Sequence, residues 1–300
     1  MVLSYLRYFW LKCLATALRT LVRFLQRGRP RPNPDDVLHL PSRDTGRLIK
    51  AHLYHPRAES RTKPSPVLLN FHGSGFVLPA HGSDGEYCRF IANNTKYTVL
   101  DVQYRLAPEY PFPAAFHDVE DVVKHVLSQP DVYDAKRVAL SGFSAGANLS
   151  VTVSSSSSLL PRETFSKVIL FYSPADLHQD PAEKKAPDNT GKQIPAFISR
   201  FFHNCYLPPG VDRRDPRISP LYAAPETIPK NLLVITGDQD PFAFEMEEVA
   251  NKAAALPGRN IVIKRMEKCT HAWDKDAKEG TIQAQAKDEA YRLAAEFLLV

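Results

Sequence analysis

The chain has 300 residues, 44% of them apolar and 24% charged, with a formal net charge of +5. This length and apolar content suffice for one large domain with a real core. The small, dispersed charge, with no basic stretch interleaved with aromatics past residue 35, excludes nucleic acid as a partner.

The first segment stands apart. Residues 1–32 carry Arg7, Lys12, Arg19, Arg23, Arg27, Arg29 and Arg31, and no acid precedes Asp35. Between them Leu3, Leu6, Phe9, Trp10, Leu14, Leu18, Leu21, Val22 and Leu25 recur at helical steps. The longest uncharged run is about six residues, against the roughly 20 a membrane span needs. The interrupting charges also argue against a secretory signal. Three readings stay open: a helix docked over an active site as part of a cap, a helix lying on an anionic membrane surface, or an organelle-targeting peptide. The stretch Pro30-Arg31-Pro32-Asn33-Pro34 ends the helix, because proline lacks the N–H donor.

In the body, Val67–Phe71, Tyr97–Val102, Arg137–Ser141, Lys167–Tyr172, Leu232–Thr236 and Ile261–Met266 read as buried strands. Asp118–Leu127, Glu245–Ala255 and Ala286–Leu299 read as helices. Their alternation implies an α/β fold: a mostly parallel sheet covered on both faces. Residues 176–217 break the rhythm and are expected to form a lid. The expected organisation is an N-terminal helix and cap region over 1–45 and a single α/β body over 46–300. The serine run Ser154–Ser158 reads as a frayed helix end. Cys13, Cys88, Cys205 and Cys269 have no paired zinc spacing and are expected as free, mostly buried thiols of a reducing compartment.

The sharpest signal is Gly142-Phe143-Ser144-Ala145-Gly146, directly after a strand and before a helical stretch. A serine on so sharp a turn needs small neighbours two residues away on each side. As a nucleophile it needs a base, and the base needs an orienting carboxylate. His271, in a short loop after Ile261–Met266, is the candidate base; His178 and His203 fall in the irregular insertion. Gly237-Asp238-Gln239-Asp240-Pro241 follows Leu232–Thr236 and offers Asp240 as the acid, with Asp238 as the fallback. Backbone N–H donors for an oxyanion are expected from Ala145 and from Gly73, Ser74 and Gly75. Phe76, Phe143, Phe201 and Trp273, with Phe197 and Phe202, suggest an apolar pocket.

This ordered set resembles the hormone-sensitive-lipase-like branch of the α/β-hydrolases, also called the α/β-hydrolase fold-3 family. His72–Phe76 looks like its His-Gly-Gly-Gly-Phe/Trp motif. Tyr104-Arg105-Leu106-Ala107-Pro108-Glu109 matches its Tyr-Arg-Leu-Ala-Pro-Glu segment in full, and Tyr110–Ala115 and Asp118 follow suit. Gly142–Asn148 resembles its elbow, Ser219-Pro220-Leu221 and Asp240-Pro241-Phe242 its approach to the acid, and His271-Ala272-Trp273 its His-Gly-Phe. The resemblance spans roughly residues 65 to 300. It implies a carboxylic-ester hydrolase with no cofactor or metal, and a cap built from the N-terminal region and the insertion after the sixth strand. Ser74 replaces the middle glycine, Phe143 an acidic residue and Ala147 a glycine; none of these removes a catalytic group.

The expected partner is a small apolar ester, in a monomer or homodimer that is cytoplasmic, with peripheral membrane contact through residues 1–27 left open. The same triad could instead serve a lactone, amide or thioester in a biosynthetic pathway. A non-catalytic ligand receptor on the same fold is the reading from a different class; the resemblance includes receptors that lost the histidine, which is present here.

Overall fold

The computed structural model describes residues 2–25, 27–28 and 31–300; Arg29 and Pro30, noted above in the basic and proline-rich stretches, lie outside them. Eight strands form one sheet among these residues: β1 Asp36–Pro41, β2 Leu48–Tyr54, β3 Ser65–Phe71, β4 Thr98–Val102, β5 Tyr133–Phe143, β6 Phe165–Phe171, β7 Asn231–Gly237 and β8 Asn260–Met266. Their spatial order is β1-β2-β4-β3-β5-β6-β7-β8. β1 and β2 pair antiparallel and β2 runs antiparallel to β4, while β3 to β8 are parallel to one another.

Period-two alternation assigns the two faces. Val67, Leu69, Leu100, Val138, Leu140, Val168, Leu170, Leu232 and Val234 point to one side. There they meet helices α3 (Ala114–Leu127), α4 (Ala145–Ser156) and α6 (Ala243–Ala254). Leu68, Val99, Ala139, Phe143, Ile169, Phe171, Leu233 and Ile235 point to the other, against α2 (Gly85–Asn94) and α7 (Ile282–Leu299). Each fully buried aliphatic side chain contributes roughly 1.5–3 kcal/mol, so the near-continuous apolar strands are what hold the doubly covered sheet. α4 ends at Ser156, inside the serine run. All four cysteines are free; three are buried and Cys13 is exposed.

Two further helices complete the upper side. α1 (Val2–Leu25) packs against α5 (Ala196–Tyr206), which forms within the segment expected to be irregular. β1 lies inside the stretch grouped with the N-terminal region by sequence, and it is an edge strand of the sheet. α1 is held by Ala15, fully buried, and by Arg19. The Arg19 guanidinium donates to both carboxylate oxygens of Glu109 at 2.9 Å, to Ala107 O at 2.7 Å and to Val77 O at 2.9 Å. Glu109 thus ties α1 to the body.

Arg105 and Asp118 anchor the other end of that motif. The Arg105 backbone N–H donates to Asp118 Oδ2 at 2.8 Å and its guanidinium reaches Asp118 Oδ1 at 2.8 Å, while Arg47 pairs with the same carboxylate. Asp118 is fully buried. Removing one partner of a buried charge network strands the others. Asp118→Ala is therefore expected to cost about 3–5 kcal/mol of stability, read as a lowered midpoint in denaturant unfolding; an unchanged midpoint would mean that water replaces the carboxylate without cost.

Candidate active site

Strand register gathers the loops. Phe71 pairs with Gly142, Phe143 with Phe171, Phe171 with Ile235, and Gly237 with Met266. The carboxyl ends of five neighbouring strands therefore lie along one edge. The segments that follow them carry His72–Phe76, Ser144, Tyr172, Asp240 and His271.

Ser144 sits at φ 51, ψ −116, a conformation costly for any residue with a Cβ. The turn is held by the Ser144 N–H donating to Phe171 O at 2.9 Å and by Asn148 N–H donating to Ser144 O at 3.0 Å. The flanking glycines are demanded by backbone contact. A Cβ on Gly146 would lie 1.9 Å from Phe71 O, and one on Gly142 would lie 2.4 Å from Gly146 C.

Ser144 Oγ lies 2.8 Å from His271 Nε2, and His271 Nδ1 lies 2.8 Å from Asp240 Oδ2. A carboxylate only accepts, so Nδ1 carries the proton and Nε2 is free to accept from the serine hydroxyl. Asp240 is fully buried, and its other oxygen accepts the Phe242 N–H at 3.0 Å. Asp238 is used elsewhere: its Oδ1 accepts the Cys269 N–H at 3.1 Å, bracing the loop that delivers His271. The structure thus brings Ser144, His271 and Asp240 together and leaves Asp238 outside. His178 belongs to a different cluster, beside Tyr222.

Gly73, Ser74, Gly75 and Ala145 line the same cavity as Ser144, and their N–H groups meet no acceptor among the described residues. Ser74 does more than replace a glycine. Its hydroxyl lies 2.7 Å from Tyr104 Oη, and the Tyr104 hydroxyl donates to His72 O at 2.6 Å. Ser74 Oγ also accepts the Phe76 N–H at 2.9 Å. The left-handed residues of the loop are Gly75 at φ 56 and Phe76 at φ 62, so a side chain at 74 meets no such strain. A Cβ on Gly75 would lie 2.4 Å from the Phe202 ring. The His72 ring stacks on Tyr104, and burial pushes its pKa down to about 3, which keeps it neutral.

The cavity above Ser144 has a volume of about 310 Å³ and is walled by Phe76, Leu78, Leu177, Ile194, Phe202 and Phe242, with Val22 of α1 at its edge. Ser199 and His203 of α5 add polar groups, and burial pushes His203 down to about 3. Of the aromatics expected at the pocket, Phe76 and Phe202 line it. Phe143, Phe201 and Trp273 do not, and Phe197 is exposed. Phe143 follows the strand alternation to the opposite face, where it stacks on Phe171 at 4.3 Å. Trp273 is buried behind Tyr172, and Phe201 packs on the main core.

A largely buried charge cluster adjoins the cavity, which Lys275 helps to line. The Lys275 ammonium sits 2.8 Å from Asp84 and 2.9 Å from Asp274, and 3.6 Å from the centre of the Phe143 ring. Tyr172 and Tyr291 donate to Asp274 at 2.7 and 2.9 Å. Burial opposes the charge on Lys275, but the two carboxylates outweigh it and hold the lysine above its ordinary pKa. None of Asp84, Asp274 and Lys275 was singled out by the sequence, since no motif marks them.

One group among the described residues has donor atoms close enough for a metal ion: His52, His81 and Asp101. The two ring centres lie 4.0 Å apart with the planes tilted by 36°, and His81 Nε2 lies 3.0 Å from the Asp101 carbonyl oxygen, a hydrogen-bonding role that competes with ligation. None of the three lines the cavity.

A family model described as an alpha/beta hydrolase fold matches residues 68–275. The chain is 28% identical to the ethyl acetate hydrolase of Pseudomonas putida, over 78% of this chain and 77% of that one. It is 30% identical to the carboxylic ester hydrolase LipN of Mycobacterium tuberculosis, over 75% of this chain and 61% of that one. Among solved structures, it is similar to EstE1, a thermostable carboxylesterase from a metagenomic library. That pair shows a TM-score of 0.79 at 27% identity, covering 96% of this chain and 97% of that one.

The geometry sets two expectations for point changes. Gly146→Ala should abolish the elbow, read as loss of soluble folded protein or of all hydrolysis, because backbone cannot yield to the new Cβ. Ser74→Gly keeps the N–H but removes the links to Tyr104 and Phe76, so kcat/KM should fall by about three- to thirtyfold, the worth of one or two hydrogen bonds. A loss of several orders of magnitude would show that the hydroxyl itself meets the substrate.

Proposed function

The chain belongs to the α/β-hydrolase fold-3 family, and on that premise we propose that it hydrolyses carboxylic esters of apolar small molecules through an acyl-enzyme on Ser144. The observation that carries this reading is the unbroken hydrogen-bond chain from Ser144 through His271 to Asp240, set in a largely apolar cavity.

In this mechanism His271 Nε2 takes the proton as Ser144 Oγ attacks the ester carbonyl. Asp240 keeps the proton on Nδ1 and stabilises the imidazolium that forms. The N–H groups of Ser74, Gly75 and Ala145 receive the oxyanion, and Gly73 shapes the turn. A hydrogen-bond donor preorganised for that oxygen contributes typically about 100- to 1000-fold. His271 then gives its proton to the leaving alkoxide, and the alcohol departs. A water deprotonated by His271 attacks the acyl-serine carbonyl, and collapse of that second intermediate returns the proton to Ser144 and frees the acid. His72 and His203 stay neutral near the cavity and have neither a serine nor a carboxylate partner in such a relay. A ligand receptor would have no need of the serine–histidine contact.

Wild-type protein should be labelled at Ser144 by a fluorophosphonate and should hydrolyse a short-chain aryl ester. Ser144→Ala should fold, resist the label and lose roughly a millionfold in kcat. Asp240→Asn should keep the fold and lose roughly ten-thousandfold. Unlabelled wild-type protein without esterase activity would overturn the proposal in favour of a receptor. A chain-length series of acyl esters reads the reach of the cavity.

A further inference from the structure

We propose that α1 is a surface-docking helix for an anionic lipid bilayer, lying in the interface plane while its inner face stays packed on the body. The inner face is Leu11, Ala15, Leu18 and Val22, spaced as one helical stripe and buried or half-buried. A second stripe, Leu6, Trp10, Leu14, Leu21 and Phe24, repeats at three-, four- and seven-residue steps and is covered by nothing in the chain. Trp10 is 63% exposed and Phe24 60%. Nine of the twenty exposed large apolar side chains of the described chain sit on this single 24-residue helix, from Tyr5 to Leu25. Isolated exposed apolar residues are ordinary; a concentration on one helix marks an interaction surface.

Charge decides what covers it. Lys12 and Arg23 border the opposite edge of the exposed face from Leu14 and Leu21, with Phe9 and Leu6 between them, and Arg27 lies just beyond the helix end; none of the three pairs directly with a carboxylate among the described residues. α1 contains no acid at all. Packing two copies through this whole exposed face would bring together two helices that carry cations and no acid. An anionic headgroup layer neutralises them while the aromatic and aliphatic stripe enters the acyl boundary. Trp10, Tyr5 and Tyr8 are the residue types that settle at headgroup depth. No helix among the described residues is long and apolar enough to cross a membrane, so the geometry is that of lying on the surface. Val22 borders the cavity, so a docked α1 would hold that edge near the lipid.

The test uses the full chain. Wild-type protein should co-sediment with vesicles of equal parts phosphatidylcholine and phosphatidylglycerol, and much less with phosphatidylcholine alone. Trp10 is the exposed member of the two tryptophans, so its fluorescence should shift to the blue on binding. The triple change Trp10→Ser, Leu14→Ser and Phe24→Ser should weaken partitioning at least about tenfold while leaving hydrolysis of a soluble aryl ester unchanged, since none of the three touches the cavity. Lys12→Glu with Arg23→Glu should erase the preference for anionic vesicles and serves if the triple change fails to fold. Wild-type protein that neither pellets with anionic vesicles nor shifts its fluorescence overturns the proposal. So does a dimer in sedimentation velocity that the triple change dissociates, which would make a second copy the occupant. Vesicle binding is read without any reaction, so its outcome is separate from that of the esterase reading.

Discussion

Everything at the upper edge of the sheet depends on how closely one turn of backbone passes another. Gly146, in the first turn of α4, presses on the carbonyl at the end of β3, at a separation that no side chain could occupy. This contact fixes the height of Ser144 above the sheet and sets the loop His72–Phe76 beside it. The serine pays for its position in backbone strain, of order 1–3 kcal/mol. Phe143, buried between β6, α2 and α7, offsets that strain by apolar burial and ring stacking. The turn is held from below by an aromatic anchor.

The sequence motif Tyr104–Glu109 acquires a physical meaning from the same architecture. Tyr104 braces the His72–Phe76 loop, Arg105 joins a buried network at Asp118, and Glu109 receives Arg19 of α1. Loop, sheet and cap are therefore registered to one another through a single six-residue stretch. Arg19 makes four hydrogen bonds in a forked geometry that a lysine could not reproduce. α1 is fixed at this point, while its outer face remains exposed.

The elements easiest to read from sequence were those with a strict local cause. The six parallel strands are continuous apolar runs, and Ser144, Asp240 and His271 each follow one of them. β1 is a mostly exposed edge strand with little apolar pattern, and β2, although largely buried, is interrupted by Lys50 and His52 and gives no continuous apolar run. α2 went unread although Tyr87, Cys88, Ile91 and Ala92 carry the step of a buried helical face. α5 was hidden in a polar, proline-rich neighbourhood. The pocket was the least legible part. Phe143 and Ser144 are adjacent, yet one faces the α2–α7 layer and the other the cavity, because strand parity and not proximity decides direction. Phe202, whose ring covers Gly75, was named only among several aromatics, since its direction is set by how α5 docks.

The cluster of Lys275 with Asp84 and Asp274 has a consequence for how the molecule responds to its medium. Its ammonium lies within 3 Å of each of two buried carboxylates, far inside the Debye length of about 8 Å at physiological ionic strength. With both carboxylates buried and in direct contact with the ammonium, mobile ions weaken these pairs little. Lys12 and Arg23 on α1 stand in open solvent, where the same ions act in full. One chain thus carries two electrostatic regimes: an inner one beside the cavity that salt weakens little, and an outer one that ordinary changes in salinity can tune.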